Sequence, residues 1–299
     1  MELPSTRPYV WMLCGSAWFS LMGILAHAAG ERVEWQVVAV ARSALAAAFA
    51  LTAALVVGAK LAVPGGRVLW LRSIAGSTSM VGTFYALTHM PVSQVLTLTN
   101  TFPMWVALLS WPLEGRRPTL GVTAAVLCSV LGVAVIFRPD LDGLPPTAWA
   151  ALGASVATAV AMLGLNRLRG VSSLGIVVHF SVVSTFFGVA ALFLFERTPN
   201  PGGIGPAALG LLFGVGATAT VGQVFLTLAF RAGSATKVSV VGLSQVVMVI
   251  AADAAFPQAT GGYPIDVWVV VGTVLVLGPT AWLMLHDRGH PKAEPVAIE

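Results

Sequence analysis

One short stretch of the chain carries a high density of polar side chains inside otherwise apolar sequence. Gln94, Thr97, Asn100 and Thr101 fall within eight residues, and Pro103 follows two positions later. Amides and hydroxyls can bind a polar solute, and a proline without an N–H kinks a helix. The stretch therefore predicts a hinged, polar binding surface. The alternative is that the threonines bond their own helix backbone or hold neighbouring helices together. Gln94 and Asn100 are the stronger candidates, because we expect that an amide cannot be satisfied so locally.

Further polar residues in the second half of the chain could complete this surface. Gln223 lies among glycines near the end of one apolar segment, and Lys237 and Ser244 lie in the next. On a continuous helix, positions 237, 241 and 244 share a face, so Lys237 and Ser244 would form one wall of a path. Lys237 could pair with a carboxylate or phosphate of a solute, or its stem could extend to the headgroups of a membrane.

An arginine and two aromatic residues complete the set of candidates. Arg42 is expected about 10 Å inside an apolar helix, where it pairs with an acidic side chain or helix-end carbonyls, or contacts the solute. Tyr85 and Trp105 could wall an amphipathic cavity, although such rings in apolar helices also serve for packing alone.

The sequence lacks the common signatures of catalysis and of metal binding. It contains no phosphate-binding P-loop, no His-Glu-x-x-His pair and no Gly-x-Ser-x-Gly elbow. Cys14 and Cys128 each stand alone in an apolar segment, without a second Cys or a His at metal spacing. We therefore predict no catalytic residue, no metal and no cofactor.

The composition indicates an integral membrane protein. Hydrophobic residues make up 57% of the 299 positions and charged residues only 9%, whereas soluble domains carry roughly 25% charged residues. The formal net charge is +4, but the basic residues stand singly or in pairs between apolar segments, which is a topology signal and does not indicate nucleic acid. The expected surroundings are a lipid bilayer.

Charge, Pro and Gly clusters divide the chain into ten apolar segments, each about as long as the 20 residues that a membrane span needs. We number them spans 1 to 10, and we expect an all-α integral membrane fold of ten transmembrane helices in which the first segment is retained. The predicted ranges are 9–29, 35–58, 68–88, 91–112, 119–137, 147–165, 174–195, 206–230, 233–253 and 265–285.

The distribution of basic residues predicts the orientation of these spans. With a cytoplasmic amino terminus, eleven basic residues fall on the inside and only three on the outside. This bias predicts an inner-membrane protein with both termini in the cytoplasm. The inside set is Arg7, Lys60, Arg67, Arg72, Arg116, Arg117, Arg167, Arg169, Arg231, Arg288 and Lys292, and the outside set is Arg32, Arg138 and Arg197.

A weak internal repeat divides the chain into two halves. Residues 84–87 and Ser93 align with residues 225–228 and Ser234 at an offset of 141, and Pro118 aligns with Pro264 at an offset of 146. Five spans per repeat is an odd number, so the two halves are expected to be inverted. Such repeats recur in secondary transporters that work by alternating access. The predicted units are 1–139, 140–288 and a short tail, 289–299.

Several motifs make the chain resemble the EamA-type permeases of the drug/metabolite transporter superfamily over nearly its whole length. They are Arg42 in Ala-Arg-Ser-Ala-Leu, residues 84–87 with Pro91 and Ser93, the run 103–111, and Arg117-Pro118. The resemblance implies ten helices in two five-helix halves and a role in transport. The chain departs from the family at Arg116, where a Glu is usual, and at Ser244-Gln245, where Glu-Pro is frequent, so the resemblance does not fix the substrate.

The expected function is a secondary transporter that moves a small metabolite, amino-acid-like or a related amphipathic solute, with export favoured over uptake. One alternative is an importer or exchanger of an anionic metabolite. A membrane-embedded enzyme, or a scaffold assembled through faces such as Gly210-x-x-x-Gly214, is less favoured. A homodimer is left open.

Overall fold

The fold is described from a computed structural model that covers residues 6–59, 61, 66–90, 92–115, 118–138, 145, 147–168, 171–195, 204–255 and 266–286. The description excludes the side chains of residues 88, 92, 93, 113, 114, 253 and 254. Several residues used in the predictions lie outside the described residues: Lys60, Pro91, Arg116, Arg117, Arg169, Arg197, Pro264, Arg288, Lys292 and the tail 289–299.

The described residues form helices and their connecting turns, and no strand occurs among them. Every predicted span boundary lies within two residues of an observed helix end. The helices are α1 (Arg7–Gly30), α2 (Trp35–Val56), α3 (Gly66–His89), α4 (Val92–Thr99), α5 (Phe102–Glu114), α6 (Leu120–Phe137), α7 (Ala148–Arg167), α8 (Ser173–Leu194), α9 (Pro206–Ala232), α10 (Ala235–Gly242), α11 (Ser244–Ala255) and α12 (Val267–His286).

Eight segments of the described chain are long and apolar enough to cross a membrane. They are α1, α2, α6, α7, α8, α9, the segment Ala235–Ala252 and α12. Helix α3 has 24 residues but a lower hydropathy, since it contains two arginines and several serines. Helices α4 and α5 have only 8 and 13 residues, so neither alone reaches the length of a span.

The helices pair between the first and second halves of the chain. Helix α1 packs along α9, α2 along α8 and α9, α3 along α7 and α8, and α6 along α12. The α6–α12 contact is backbone against backbone. A Cβ placed on Gly132 would lie 2.8 Å from the Gly272 carbonyl oxygen, and one placed on Gly272 would lie 2.6 Å from the Gly132 oxygen. Only glycines allow this approach.

Helix α3 is held to α8 by hydroxyl groups on one face. Ser73 Oγ lies 2.8 Å from His179 Nδ1, and Ser77 Oγ lies 2.9 Å from Ser184 Oγ. Residues 73 and 77 are one helical turn apart, so both bonds form along the same seam. Small hydroxyl side chains permit close packing while their polar groups remain paired.

Two helices are interrupted in the middle of predicted spans. Helix α4 ends at Thr99 and α5 begins at Phe102, with Pro103 in its first turn, so the interruption that Pro103 predicts is present. A second interruption was not predicted: α10 ends at Gly242 and α11 begins at Ser244. At such points the regular backbone hydrogen bonds are lost, and carbonyl and N–H groups become available to other partners.

Candidate functional site

We call residues 94–101, which end at the first interruption, the polar segment. Its side chains mostly bond to their own helix. Asn100 Nδ2 donates to the Leu96 carbonyl at 2.7 Å, and Thr101 Oγ1 bonds to the Leu98 carbonyl at 2.6 Å and to Ser155 Oγ at 2.8 Å. The expectation that an amide cannot be satisfied so locally is wrong, because the Asn100 side chain reaches the carbonyl one turn earlier.

The remaining candidates of this region lie in varied surroundings. Gln94 is half-buried, and Thr97 and Pro103 are buried. The ring of Trp105 packs against the apolar cluster that includes Leu163 and Phe230, and its Nε1 is buried without a hydrogen-bond partner. Trp105 therefore acts mainly in packing here, but it keeps one free donor.

Tyr85 lies near one end of the bundle. Its ring contacts the His89 ring at a centroid distance of 4.3 Å and the Phe195 ring at 4.9 Å. Along α3 it is 13 residues beyond Arg72, which corresponds to about 20 Å at 1.5 Å per residue. The structure does not place Tyr85 beside the buried charges described below.

The structure also separates Lys237 from Ser244. The interruption after Gly242 lies between them, so they belong to two helices, α10 and α11, and not to one continuous helix. Lys237 is half-buried, whereas Ser244 is fully buried and its Oγ has no hydrogen-bond partner. Ser244 thus offers a polar group at the second interruption.

Arg42 lies at a small internal cavity between α2, α8 and α9. Its Nε donates to the Met22 sulfur at 3.3 Å, and among the described residues the expected pairing with an acidic side chain or helix-end carbonyls is not observed. The cavity is also lined by Phe180 and Gln223 and has a volume of about 10 Å³, enough for about one water molecule. Gln223 Nε2 is buried and has no partner.

Arg72 is the largest departure from the sequence-based prediction. The charge pattern assigns it to a cytoplasmic connection, yet it lies six residues into α3 with only 1% of its surface exposed, about 9 Å from the helix start. Its guanidinium carbon lies 3.9 Å from the centroid of the Phe180 ring. Its Nε and Nη1 atoms are buried and have no hydrogen-bond partner.

Close packing on α7 leaves little freedom for the Arg72 stem. A Cβ placed on Gly164 would lie 3.0 Å from Arg72 Cβ, so the glycine is what lets the arginine backbone approach α7. The side chain therefore extends towards Phe180 on α8 rather than back to the helix start. This explains why Arg72 does not reach the membrane surface as a cytoplasmic residue would.

Arg42, Arg72, Phe180 and Gln223, which we call the arginine cluster, belong to α2, α3, α8 and α9. Phe180 connects them, because it contacts Arg72 and lines the cavity that Arg42 and Gln223 also line. A buried, unpaired charge costs several kcal/mol, whereas a desolvated cation–π contact returns about 2 kcal/mol. No acidic residue falls within the described helices more than two residues from a helix end. The described part of the chain therefore provides little internal compensation for these charges.

The sequence does contain a signal for the arginine cluster. Arg72 lies four residues inside the predicted range 68–88, and an ionisable residue within a span is by default a functional candidate. Its closeness to the predicted inner end instead favoured an interfacial role. Phe180 carries no such signal, because one aromatic residue in an apolar helix is usual.

A second, wider cavity has a different character. It is a groove of about 680 Å³ between α3 and α8, lined by apolar side chains that include Trp70, Ile74 and Phe186. These side chains are exposed, and Phe186 is 70% accessible. Exposed apolar walls are typical of a lipid-facing surface, so the groove does not suit a polar solute.

Comparison with known proteins finds a family model that matches the first part of the chain. Residues 6–138 match the EamA-like transporter family. This match confirms the resemblance noted from the sequence. Together with the long apolar helices, it indicates a multi-pass membrane protein of the EamA transporter type.

Two named relatives and one solved structure are similar to this EamA-like chain. The pseudopaline exporter CntI of Pseudomonas aeruginosa is 29% identical over 226 residues, 74% of this chain and 78% of that one. An uncharacterized membrane protein of Saccharomyces cerevisiae is 22% identical and covers 72% of this chain and 56% of its own. A crystal structure aligns with a TM-score of 0.76, 18% identity, and 95% and 98% of the two chains, which shows a shared fold.

Proposed function

We propose that this EamA-like protein is a secondary transporter that exports a small metabolite, amino-acid-like or a related amphipathic solute, by alternating access. In this proposal ten helices span the inner membrane as two inverted repeats, residues 1–139 and 140–288. Both termini, with the tail 289–299, lie in the cytoplasm. The substrate path runs between the halves, where α4–α5 and α10–α11 are interrupted.

The main support is that the two interruptions occupy corresponding positions in the proposed repeats. The first lies at residues 100–101 and the second at residue 243, so 243 − 101 gives an offset of 142. This value falls between the offsets of 141 and 146 that align the repeats. Interrupted helices in corresponding places of two halves are a recognised indication of the transport site.

The helix pairing also supports a two-fold relation. Spans 1, 2 and 3 are α1, α2 and α3, and their counterparts five spans later are α7, α8 and α9. If each helix is exchanged with its counterpart, the α1–α9 contact becomes the α7–α3 contact, and the α2–α9 contact becomes the α8–α3 contact. Both members of each pair are observed. The α2–α8 and α6–α12 contacts convert into themselves. Two halves with equivalent contacts can exchange conformations at little cost, which alternating access requires.

Export is supported by the family and by the named exporter among its relatives. The relative similar over 78% of its length exports pseudopaline by name. Transfer of a direction at 29% identity is part of the proposal, and the same substrate is not implied. The runner-up, an importer or exchanger of an anionic metabolite, is favoured by the buried Arg72 and the half-buried Arg42.

Counterflow in liposomes tests the proposal. Purified protein is reconstituted into vesicles preloaded in turn with amino acids, organic acids, sugar phosphates or nucleosides, and uptake of the labelled compound is followed. We expect protein-dependent exchange for at least one class, with protein-free vesicles as the control. Folded protein that exchanges none of these classes would overturn the transport function. Reporter fusions at both termini test the cytoplasmic orientation independently.

A further inference from the structure

We propose that the arginine cluster binds an oxyanion group, a carboxylate or a phosphate, of the exported metabolite. This inference rests on the proposed transport function and specifies the substrate class. The cluster is distinct from the polar segment on which the sequence-based prediction is centred. The binding groups are the guanidinium of Arg72, the guanidinium of Arg42 and the amide Nε2 of Gln223.

The first argument is that the buried polar atoms without a partner at this site are hydrogen-bond donors. Arg72 Nε and Nη1 and Gln223 Nε2 are buried atoms without partners, and all three are donors. Arg42 supplies further N–H groups at the cavity that Gln223 and Phe180 also line. Unpaired buried donors favour an acceptor-only group, and carboxylates and phosphates accept several bonds at once from guanidinium forks.

The second argument is charge. The cluster brings two arginines to the same phenylalanine ring, with Arg72 stacked on Phe180 and Arg42 at the cavity that Phe180 lines. The acidic side chains that the structure describes, Glu31, Glu34 and Asp266, all lie at helix ends. A substrate anion would supply the counter-charge that these parts of the chain do not.

The third argument is position. The four residues come from α2, α3, α8 and α9, so both proposed repeats contribute. The cavity has a volume of only about 10 Å³, so binding requires these helices to separate. Alternating access provides such a movement, because the halves rock around a central site. The described conformation thus corresponds to a closed state of the transporter.

Release from loaded vesicles tests the inference for a substrate of any identity. Vesicles of phosphatidylcholine containing the protein are loaded with a deproteinised extract of bacterial small metabolites, and released compounds are identified by mass spectrometry. We expect the released compounds to bear a carboxylate or a phosphate. Arg72→Gln should reduce their release by about tenfold or more, the effect of losing one charge-assisted contact. The matched control Arg32→Gln changes an exposed arginine at the end of α1 and should have no effect.

Stability measurements separate a binding role from a structural one. Because Arg72 is buried without a counter-charge, Arg72→Gln should raise Tm by a few degrees, whereas loss of a structural ion pair would lower it. L-Glutamate and citrate should raise Tm of the wild-type protein but not of Arg72→Gln, and putrescine should raise neither. Adding phosphatidylglycerol to the vesicles tests a lipid phosphate as the anion.

The outcomes distinguish failure of the function from failure of the inference. If wild-type protein releases nothing, the transport function fails and the inference fails with it. If it releases neutral or cationic compounds, or if Arg72→Gln releases anions normally, transport stands and the inference is overturned. A rise of Tm with phosphatidylglycerol alone, and none with L-glutamate or citrate, would assign the cluster to lipid and overturn the substrate site. Arg72→Gln protein that does not fold is replaced by Arg72→Lys, for which a smaller loss of the same anions is expected.

Discussion

The polar segment and the arginine cluster both place polar side chains inside the helix bundle, but their hydrogen bonds end in different places. In the polar segment, Asn100 and Thr101 donate to carbonyls of their own helix. In the arginine cluster, donors of Arg72 and Gln223 have no partner in the described protein. Most polar side chains of the polar segment are thus bonded within the segment, whereas Arg72 and Gln223 keep buried donors without a partner among the described residues.

The difference indicates separate roles for the two regions. Self-satisfied side chains at the end of α4 complete the backbone bonding where the helix is interrupted, so they make the interruption tolerable in an apolar environment. Unsatisfied donors do nothing for the fold and cost free energy. Such donors are expected where a bound ligand offsets this cost, which supports the proposal that the arginine cluster binds the substrate and that the polar segment acts as the hinge.

Removing the ring of Phe180 should have the largest effect on stability. Phe180 is buried and carries the cation–π contact to Arg72. Phe180→Ala should lower the free energy of unfolding by about 3 kcal/mol or more, as for other buried phenylalanines, and should reduce anion release. Phe186→Ala, on the same helix but 70% exposed, is the matched control and should change unfolding little. If chemical denaturation showed that both changes lower the free energy of unfolding equally, Phe180 would not be the residue that holds the cluster together.

A change in the polar segment tests whether the substrate binds there instead of at the arginine cluster. Asn100→Leu removes an amide whose described bond is to its own helix, so we expect transport within about twofold of wild type and a loss of roughly 0.5–1 kcal/mol. Asn166→Leu is the contrasting control, because Asn166 Nδ2 bonds the Phe230 and Gly233 carbonyls of α9 and the following turn, at 2.8 and 2.7 Å. It should destabilise more. If Asn100→Leu abolished flux while remaining folded, the substrate site would return to the polar segment.

Much of the fold could be predicted, because apolar length and breaking residues determine where helices begin and end. The ends of all ten predicted ranges agree with the helices within two residues. The interruption before Pro103 followed from the chemistry of proline. The one after Gly242 did not, because a glycine in a Val-rich helix is usually tolerated and only tertiary packing decides whether the helix breaks there.

The candidate site was less predictable, because sequence shows which groups are polar but not which are already satisfied. Gln223 and Ser244, both selected from the sequence, have buried polar atoms without a partner among the described residues, and their role in binding stays a prediction. The reason for selecting Asn100 is removed by its local bond. Arg72 was missed because depth in the bundle depends on how α3 packs on α7 and α8, and this is a property of the assembled helices.

A pair of serines tests whether a buried hydroxyl without a hydrogen-bond partner indicates a functional role. Ser239 and Ser244 are both fully buried, but Ser239 Oγ donates to the Thr236 carbonyl at 2.7 Å, whereas Ser244 Oγ has no partner. Ser239→Ala should cost about 1 kcal/mol, and Ser244→Ala should be neutral or stabilising by a similar amount. If Ser244 contacts the solute, its replacement should also raise KM for transport. A loss of stability in Ser244→Ala equal to that in Ser239→Ala would show that its hydroxyl is paired.

The smallest effect is expected at the bundle surface, where charges are paired and solvated. Arg138, after α6, and Asp266, before α12, form an ion pair of 2.7 Å. Hydrogen bonds from the Val269 and Trp268 backbone N–H groups, together with the charge of Arg138, hold the pKa of Asp266 below its usual value. A carboxyl with a lowered pKa stabilises the folded state above its unfolded pKa, and this contribution disappears as the pH falls through the folded value. Asp266→Asn should therefore change Tm only slightly between about pH 5 and pH 8, and thermal unfolding of wild type and variant should converge in acid. A large loss at neutral pH would mean that the α6–α12 contact depends on this pair rather than on the packing of Gly132 against Gly272.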